Sequence, residues 1–203
     1  MRKYFKKIFR GYAVFKKKYV SGNTSLMKHL SEFGQKPDIL VVACCDSRVD
    51  PAVILQTNPG DLFVIRNVAN IVPPYEKDEA QHGTSAALEF GINFLNVQYL
   101  ILLGHSKCGG INAAMHSEHL IKNDFLSQWV SLAKIEHPDS SILSQDEYAK
   151  LALKKSYQNC LTFPWIKEKV DNHQLKIYLW FFDIETGSIQ QYSKEKDLYF
   201  PML

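Results

Sequence analysis

Asp38-Ile39-Leu40-Val41-Val42-Ala43-Cys44-Cys45-Asp46-Ser47-Arg48 is the stretch that decides how this chain folds. Its apolar run follows Pro37, is rich in β-branched residues and predicts a strand buried on both faces. Directly beyond it come two cysteines, a carboxylate and a guanidinium. In an open α/β sheet, ligand sites form just outside the carboxyl ends of the strands.

Working outward, residues 51–57 read as a helix and Pro59-Gly60 as a turn. Leu62-Phe63-Val64-Ile65 reads as a second strand. A helix is expected over 80–96, with Ala86, Ala87, Phe90 and Phe94 facing inward. Tyr99-Leu100-Ile101-Leu102-Leu103 is a third buried strand, halted by Gly104, and His105 and Cys108 follow it at once. Residues 112–172 are largely helical. Lys176 to Asp183 and Ser188 to Tyr192, around Thr186-Gly187, read as a β-hairpin. Ahead of the sheet, Phe5, Ile8, Phe9, Tyr12, Phe15 and Tyr19 recur at helical steps until Ser21-Gly22-Asn23, and a short helix is expected from Thr24 to Phe33.

Strands alternating with helices call for parallel pairing and right-handed crossovers. The expected fold is α/β, a Rossmann-like, mostly parallel sheet of about four strands plus an edge strand from the C-terminal hairpin, flanked by helices. Residues 1–34 form an N-terminal helical arm on this reading, and residues 35–203 the α/β domain.

Two strands thus deliver Cys44, Asp46, Arg48, His105 and Cys108 to one end of the sheet. Thiolates and imidazole suit zinc, and three protein ligands leave a fourth position open, as in catalytic zinc sites. A closed structural site with Cys45 as fourth ligand is the alternative. Adjacent residues leaving a strand point to opposite faces, which argues against it. Cys45 is expected to pack as a small hydrophobe, and Cys160 to lie in the core. Asp46 and Arg48, two apart, can form a bidentate pair that fixes an ionised carboxylate, or an ordinary loop salt bridge.

Composition is that of a globular chain, 46% hydrophobic and 22% charged. No apolar run approaches the roughly 20 residues that span a bilayer, so no stable membrane insertion is expected, and the basic, aromatic N-terminus has no secretory apolar core. Four cysteines, two of them adjacent, suggest metal or catalytic roles in a reducing compartment, the cytoplasm by default. The net charge of +3 is uneven. Residues 1–31 hold nine basic residues and no acid, and the remainder carries 15 basic and 21 acidic residues. A basic head on an acidic body fits contact with a membrane surface or nucleic acid, or an arm packed on an acidic neighbouring subunit. The last reading is favoured, with no nucleic-acid partner expected. A mitochondrial presequence fits poorly, because Lys outnumbers Arg and Ser is scarce.

Ala43-Cys44-Cys45-Asp46-Ser47-Arg48-Val49-Asp50-Pro51 resembles the C-x-D-S-R signature of β-class carbonic anhydrases. Gly104-His105-Ser106-Lys107-Cys108-Gly109-Gly110 resembles their second signature. The stretches 59–67 and 69–74, the helix from Gly83 to Phe90 and the tail 183–187 are also similar, in family order, so that the likeness covers about residues 5–192. The resemblance implies a lyase that reversibly hydrates carbon dioxide to bicarbonate and a proton through a zinc-held hydroxide. It implies one Zn²⁺ per subunit on Cys44, His105 and Cys108, with Asp46 and Arg48 as the dyad that orients the hydroxide. It further implies Gln35, Phe63 and the Gly109 backbone N–H as substrate-binding groups at a subunit interface, in a homodimer or a dimer of dimers.

The chain departs from the family at three places. Phe90 stands where plant-type members have tyrosine, and Phe94 where some have a histidine suspected as a proton shuttle, which leaves proton export to water, buffer or another histidine. His82 is the nearest candidate in sequence, with a loop or capping histidine as the favoured reading of it. Val41 stands where members with an inhibitory bicarbonate pocket have tryptophan, so no such pocket is expected and the fourth zinc position should hold water unless Asp46 occupies it. Hydrolysis of carbonyl sulfide or carbon disulfide is an alternative within the same scaffold, and a non-enzymatic zinc module using the basic arm is an alternative outside it.

Overall fold

In the computed structural model, which describes residues 3–22, 24–78, 81–122, 124–135 and 142–203, the apolar runs pair as β2-β1-β3-β4-β5-β6. Strand β1 (Ile39–Cys44) is flanked in parallel by β2 (Leu62–Asn67) and β3 (Tyr99–His105), and β3 pairs in parallel with β4 (Lys176–Phe182). The hairpin expected at the tail supplies β5 (Ile189–Ser193), antiparallel to β4. A sixth strand, β6 (Leu198–Pro201), extends the antiparallel edge beyond the expected sheet. It is short and ends in Pro201, a residue confined to sheet edges because it cannot donate to a ladder.

Residues 40–44 of β1 are all buried, as a strand covered on both faces must be. Leu40, Val42 and Cys44 join the main core, which includes Leu88, Ile92, Leu100, Leu102, Leu153 and Ile166. Val41 and Ala43 face the other way, with Ile101 and Leu103. Around the sheet lie α1 (Lys3–Phe15, continued by a wider turn over Lys16–Val20), α2 (Leu26–Phe33), α3 (Pro51–Ile54), α4 (Gly83–Glu89), α5 (Gly109–Met115), α6 (Phe125–Ser131), α7 (Gln145–Cys160) and α8 (Pro164–Asp171). Among the described residues, no helix is long and apolar enough to cross a membrane.

The inward assignments of Ala86, Phe90, Phe94 and Cys45 are corrected, Ala86 lying exposed on the outer side of α4. The chain after α4 continues as a wider turn over Phe90–Phe94. Its inner face is Leu88, Gly91 and Ile92, whereas Phe90 and Phe94 are exposed and stack on each other with centroids 5.8 Å apart. Gly91 is the reason this face can approach β1 so closely: a Cβ there would lie 2.4 Å from Leu40 Cδ1. Cys45 is exposed, not packed. It leaves β1 on the side opposite Cys44, where the strand has ended and no described residue covers it. Cys160 is fully buried, as expected.

Candidate metal centre

β1 and β3 are direct neighbours in register, Ala43 beside Leu103, so their carboxyl ends emerge together. That places Cys44 next to His105, and the tight loop after β3 returns Cys108 to the same point. The Sγ atoms of Cys44 and Cys108 lie 3.9 Å apart. One ligand atom from each of Cys44, His105 and Cys108 falls within 4.8 Å of the others, and all three residues are buried.

The two thiols are close enough to share one proton. The hydrogen bond from Cys108 is the main influence holding the Cys44 thiol below its ordinary range, against burial, with the backbone N–H groups of Asp46 and Ala69 assisting. Cys108 is pushed up, first by that same bond to Cys44 and then by burial. Backbone N–H groups of Gly110 and Ile111, at the start of α5, favour its thiolate. A cation between the sulfurs would relieve this conflict and allow both thiols to ionise.

His105 Nδ1 lies 2.9 Å from the Ser106 carbonyl oxygen. As the donor in that bond, Nδ1 carries the proton and leaves Nε2 with its lone pair bare. Nε2 is buried and has no hydrogen-bond partner among the described residues. A buried imidazole nitrogen facing two thiols, one already favoured as thiolate, is the donor set of a thiophilic divalent metal and fits zinc.

The loop after β1 is held by its neighbours. Arg66, on β2, donates from Nε to the Cys44 carbonyl (2.9 Å), from Nη2 to the Asp46 carbonyl (2.7 Å) and from Nη1 to Asp50 Oδ2 (2.8 Å). The loop after β3 is pinned by Ser106, whose N–H donates to the Phe182 carbonyl and whose hydroxyl accepts from the Ile184 N–H. A Cβ at Gly110 would sit 2.7 Å from Val68 Cγ1 and 3.0 Å from the Ala69 backbone nitrogen, so only glycine lets α5 start this close to the turn after β2.

Asp46 and Arg48 form the bidentate pair that their spacing allows. Nε and the backbone N–H of Arg48 donate to Oδ1 at 2.9 Å, and Nη2 donates to Oδ2 at 2.6 Å. The Arg48 guanidinium beside Asp46 is the main cause holding its carboxyl well below the usual carboxylate range. Turned toward Arg48, Asp46 stands outside the close cluster of Cys44, His105 and Cys108. Arg48 Nη2 also donates to the Lys107 carbonyl at 3.1 Å, which ties the two signature loops together.

A carbonic anhydrase family model matches residues 39–189. Beta carbonic anhydrase 5, chloroplastic, of Arabidopsis thaliana is 34% identical over 191 residues, an alignment covering 90% of this chain and 62% of that protein. The chain belongs to the β-class carbonic anhydrases. Among solved structures, the β-carbonic anhydrase CcaA is similar with a TM-score of 0.84 and 28% identity, covering 100% of this chain and 93% of that one. A tetrameric β-carbonic anhydrase from the ascomycete Sordaria macrospora is similar with a TM-score of 0.72 and 29% identity, covering 93% and 94%.

Measured against the rest of this β-class carbonic anhydrase, the expected substrate residues divide. Gly109, the first residue of α5, adjoins Cys108 and is exposed, with open space at its Cβ position. Gln35 and Phe63 are not brought to the cluster. Gln35 is exposed, four residues before β1 begins, at the end of the strand opposite Cys44. Phe63 pairs with Leu40, near the amino end of the sheet, and its ring lies 5.8 Å from that of exposed Phe90. His82 binds Asp78 at 2.6 Å. Arg66, Gln145 and Asp146, which support the signature loops, carry no role in the sequence reading. Ser144-Gln145-Asp146-Glu147 does hold a legible helix-start pattern, Ser followed three residues later by Glu.

Proposed function

We propose that this chain catalyses the reversible hydration of carbon dioxide to bicarbonate and a proton, with one zinc per subunit held by Cys44 Sγ, His105 Nε2 and Cys108 Sγ. The observation that carries this reading is the buried Nε2 of His105, without a hydrogen-bond partner among the described residues, beside a thiol pair in an α/β chain of this family. Bound zinc would supply a water-derived nucleophile near neutral pH by lowering the pKa of water at its open position.

Asp46, with one oxygen taking two N–H groups and the other a third, keeps lone pairs free on a carboxylate whose direction is fixed. It accepts the hydrogen of the attacking oxygen and so aims that oxygen's lone pair at carbon dioxide. Arg48 keeps Asp46 ionised and turned from the metal, which leaves the fourth position to water. The Gly109 N–H helps to place bicarbonate.

Gln35 and Phe63 act in this reading on the site of a second copy, because both stand at the far end of their own sheet. A homodimer, alone or paired into a tetramer, is the assembly we propose. The arm of residues 1–34, with Phe5, Ile8, Phe9 and Tyr12 exposed in the single chain, packs on the partner subunit. The four free cysteines fit a reducing, cytoplasmic location.

Stopped-flow hydration of carbon dioxide, with zinc measured on the same sample, tests the reading. Cys108→Ser should lose most zinc and activity together. Asp46→Ala should keep zinc and lose rate, and a wild-type rate in that variant would refute the role of Asp46.

A further inference from the structure

Helix α7 opens on Ser144-Gln145-Asp146-Glu147, and these four residues divide their work. The outer two serve the helix. The Ser144 N–H donates to Glu147 Oε2 at 2.8 Å, and the Glu147 N–H donates to Ser144 Oγ at 3.3 Å, a reciprocal cap that fixes where the helix begins. The inner two, the first residues of α7, turn their side chains to the loop after β3. Gln145 Nε2 donates to the Cys108 carbonyl at 2.6 Å, and Asp146 Oδ1 accepts the Lys107 N–H at 3.0 Å.

Lys107 is held at φ 53, a left-handed conformation that side-chain-bearing residues rarely adopt. Its N–H is tied to Asp146, and its carbonyl, turned by that conformation, accepts from Arg48 Nη2, the same nitrogen that grips Asp46 Oδ2. Without an acceptor for the Lys107 N–H, the loop loses one of the bonds that hold it left-handed. Relaxation would swing the carbonyl away and leave Arg48 Nη2 anchored only to the carboxylate it is meant to aim.

We propose that Asp146 is a positioning residue, acting through Lys107 and Arg48 on Asp46, with Gln145 steadying the Cys108 end of the same loop. This rests on the reading of Asp46 as the group that orients the attacking oxygen. Asp146 acts as a hydrogen-bond acceptor rather than as a charge, so asparagine should replace it.

The test uses zinc-loaded wild type, Asp46→Ala, Asp146→Ala, Asp146→Asn and the Asp46→Ala/Asp146→Ala double variant. Zinc per chain, kcat/KM for carbon dioxide and the ¹H–¹⁵N signal of Arg48 Nε–H, assigned with Arg48→Lys, are measured on each. Asp146→Ala should keep its zinc, lose about tenfold in kcat/KM, and show faster solvent exchange at Arg48 Nε–H. Asp146→Asn should stay near wild type in all three. The double variant should be no slower than Asp46→Ala alone, because two residues acting through one group do not add.

A wild-type rate in Asp146→Ala, a full additional loss in the double variant, or loss of zinc or fold in Asp146→Ala would each overturn the proposal. The last two would make Asp146 a support of the chain, independent of Asp46. A wild-type rate in Asp46→Ala would instead refute the role given to Asp46, while the Arg48 signal would still report whether Asp146 positions the guanidinium.

Discussion

Arg66→Met is expected to destabilise the zinc-free chain by about 3 kcal/mol, the loss of a charged donor to two carbonyls at ~1.5 kcal/mol or more each. Those carbonyls belong to Cys44 and Asp46, at 2.9 and 2.7 Å. The third bond, to Asp50, adds little, because the Asp50 side chain is 42% exposed and such pairs contribute ~0–1 kcal/mol. Methionine keeps most of the stem's packing, so the loss isolates the guanidinium. Arg66→Lys should recover only part, because one ammonium cannot reach three acceptors held in a planar fork. Urea unfolding with chelator present reads the difference without the contribution of metal binding, provided the slope is unchanged. The reasoning fails if Arg66→Met lies within about 0.5 kcal/mol of wild type, the range of an unimportant surface change, or if Arg66→Lys matches the native chain.

Gly110→Ala should cost about 1–3 kcal/mol by overpacking and speed zinc release to a chelator, because the new Cβ meets Ala69 backbone, which cannot give way as a side-chain end could. Glu147→Gln tests a pH dependence. The Ser144 hydroxyl, chiefly, lowers the folded pKa of Glu147, so the unfolded chain takes up that proton first as pH falls. The stabilisation is fully present above the ordinary glutamate pKa of about 4.3 and is lost below it. Urea midpoints should therefore separate wild type from Glu147→Gln at pH 7 and converge as pH falls through the lowered folded pKa of Glu147.

The strands and the metal cluster were legible for one physical reason: buried parallel strands are apolar without interruption, and cysteine, histidine, aspartate and arginine stand out where those runs end. What supports the cluster was hidden. Arg66 sits inside an apolar strand, and its partners are carbonyl oxygens, which every residue carries. Asp146 serves a backbone N–H 39 residues away, and only the capping pattern around it shows in the sequence. The inward placing of Phe90 and Phe94 failed because helical periodicity finds an apolar face without saying what covers it. In the single chain those two rings are exposed and continue from half-buried Phe63, as a surface kept for another subunit would. Cys45 was rightly set apart from Cys44 by strand geometry, yet burial of a cysteine cannot be inferred once the strand has ended.

The placement of Gln35 and Phe63 leads to the sharpest test of the assembly we propose. Phe63 is four residues before Asn67, which pairs with Cys44, a separation of ~13 Å along the strand, and Gln35 lies farther still beyond the amino end of β1. Neither can bind substrate at the metal of its own chain, so either they have no such role or each serves a partner. Mixing two impaired chains decides between these. Cys108→Ser chains lack a metal site but carry Gln35, and Gln35→Ala chains carry the metal site but lack the amide. Reassembled at random, half of the dimers are mixed, and in each of these one site joins an intact metal cluster to an intact Gln35. The mixture should regain about a quarter of wild-type activity. If Gln35 had no such role, Gln35→Ala would be unimpaired on its own, and if it served its own chain no mixed dimer would contain a complete site; in either case the mixture would show only the average of its two parents.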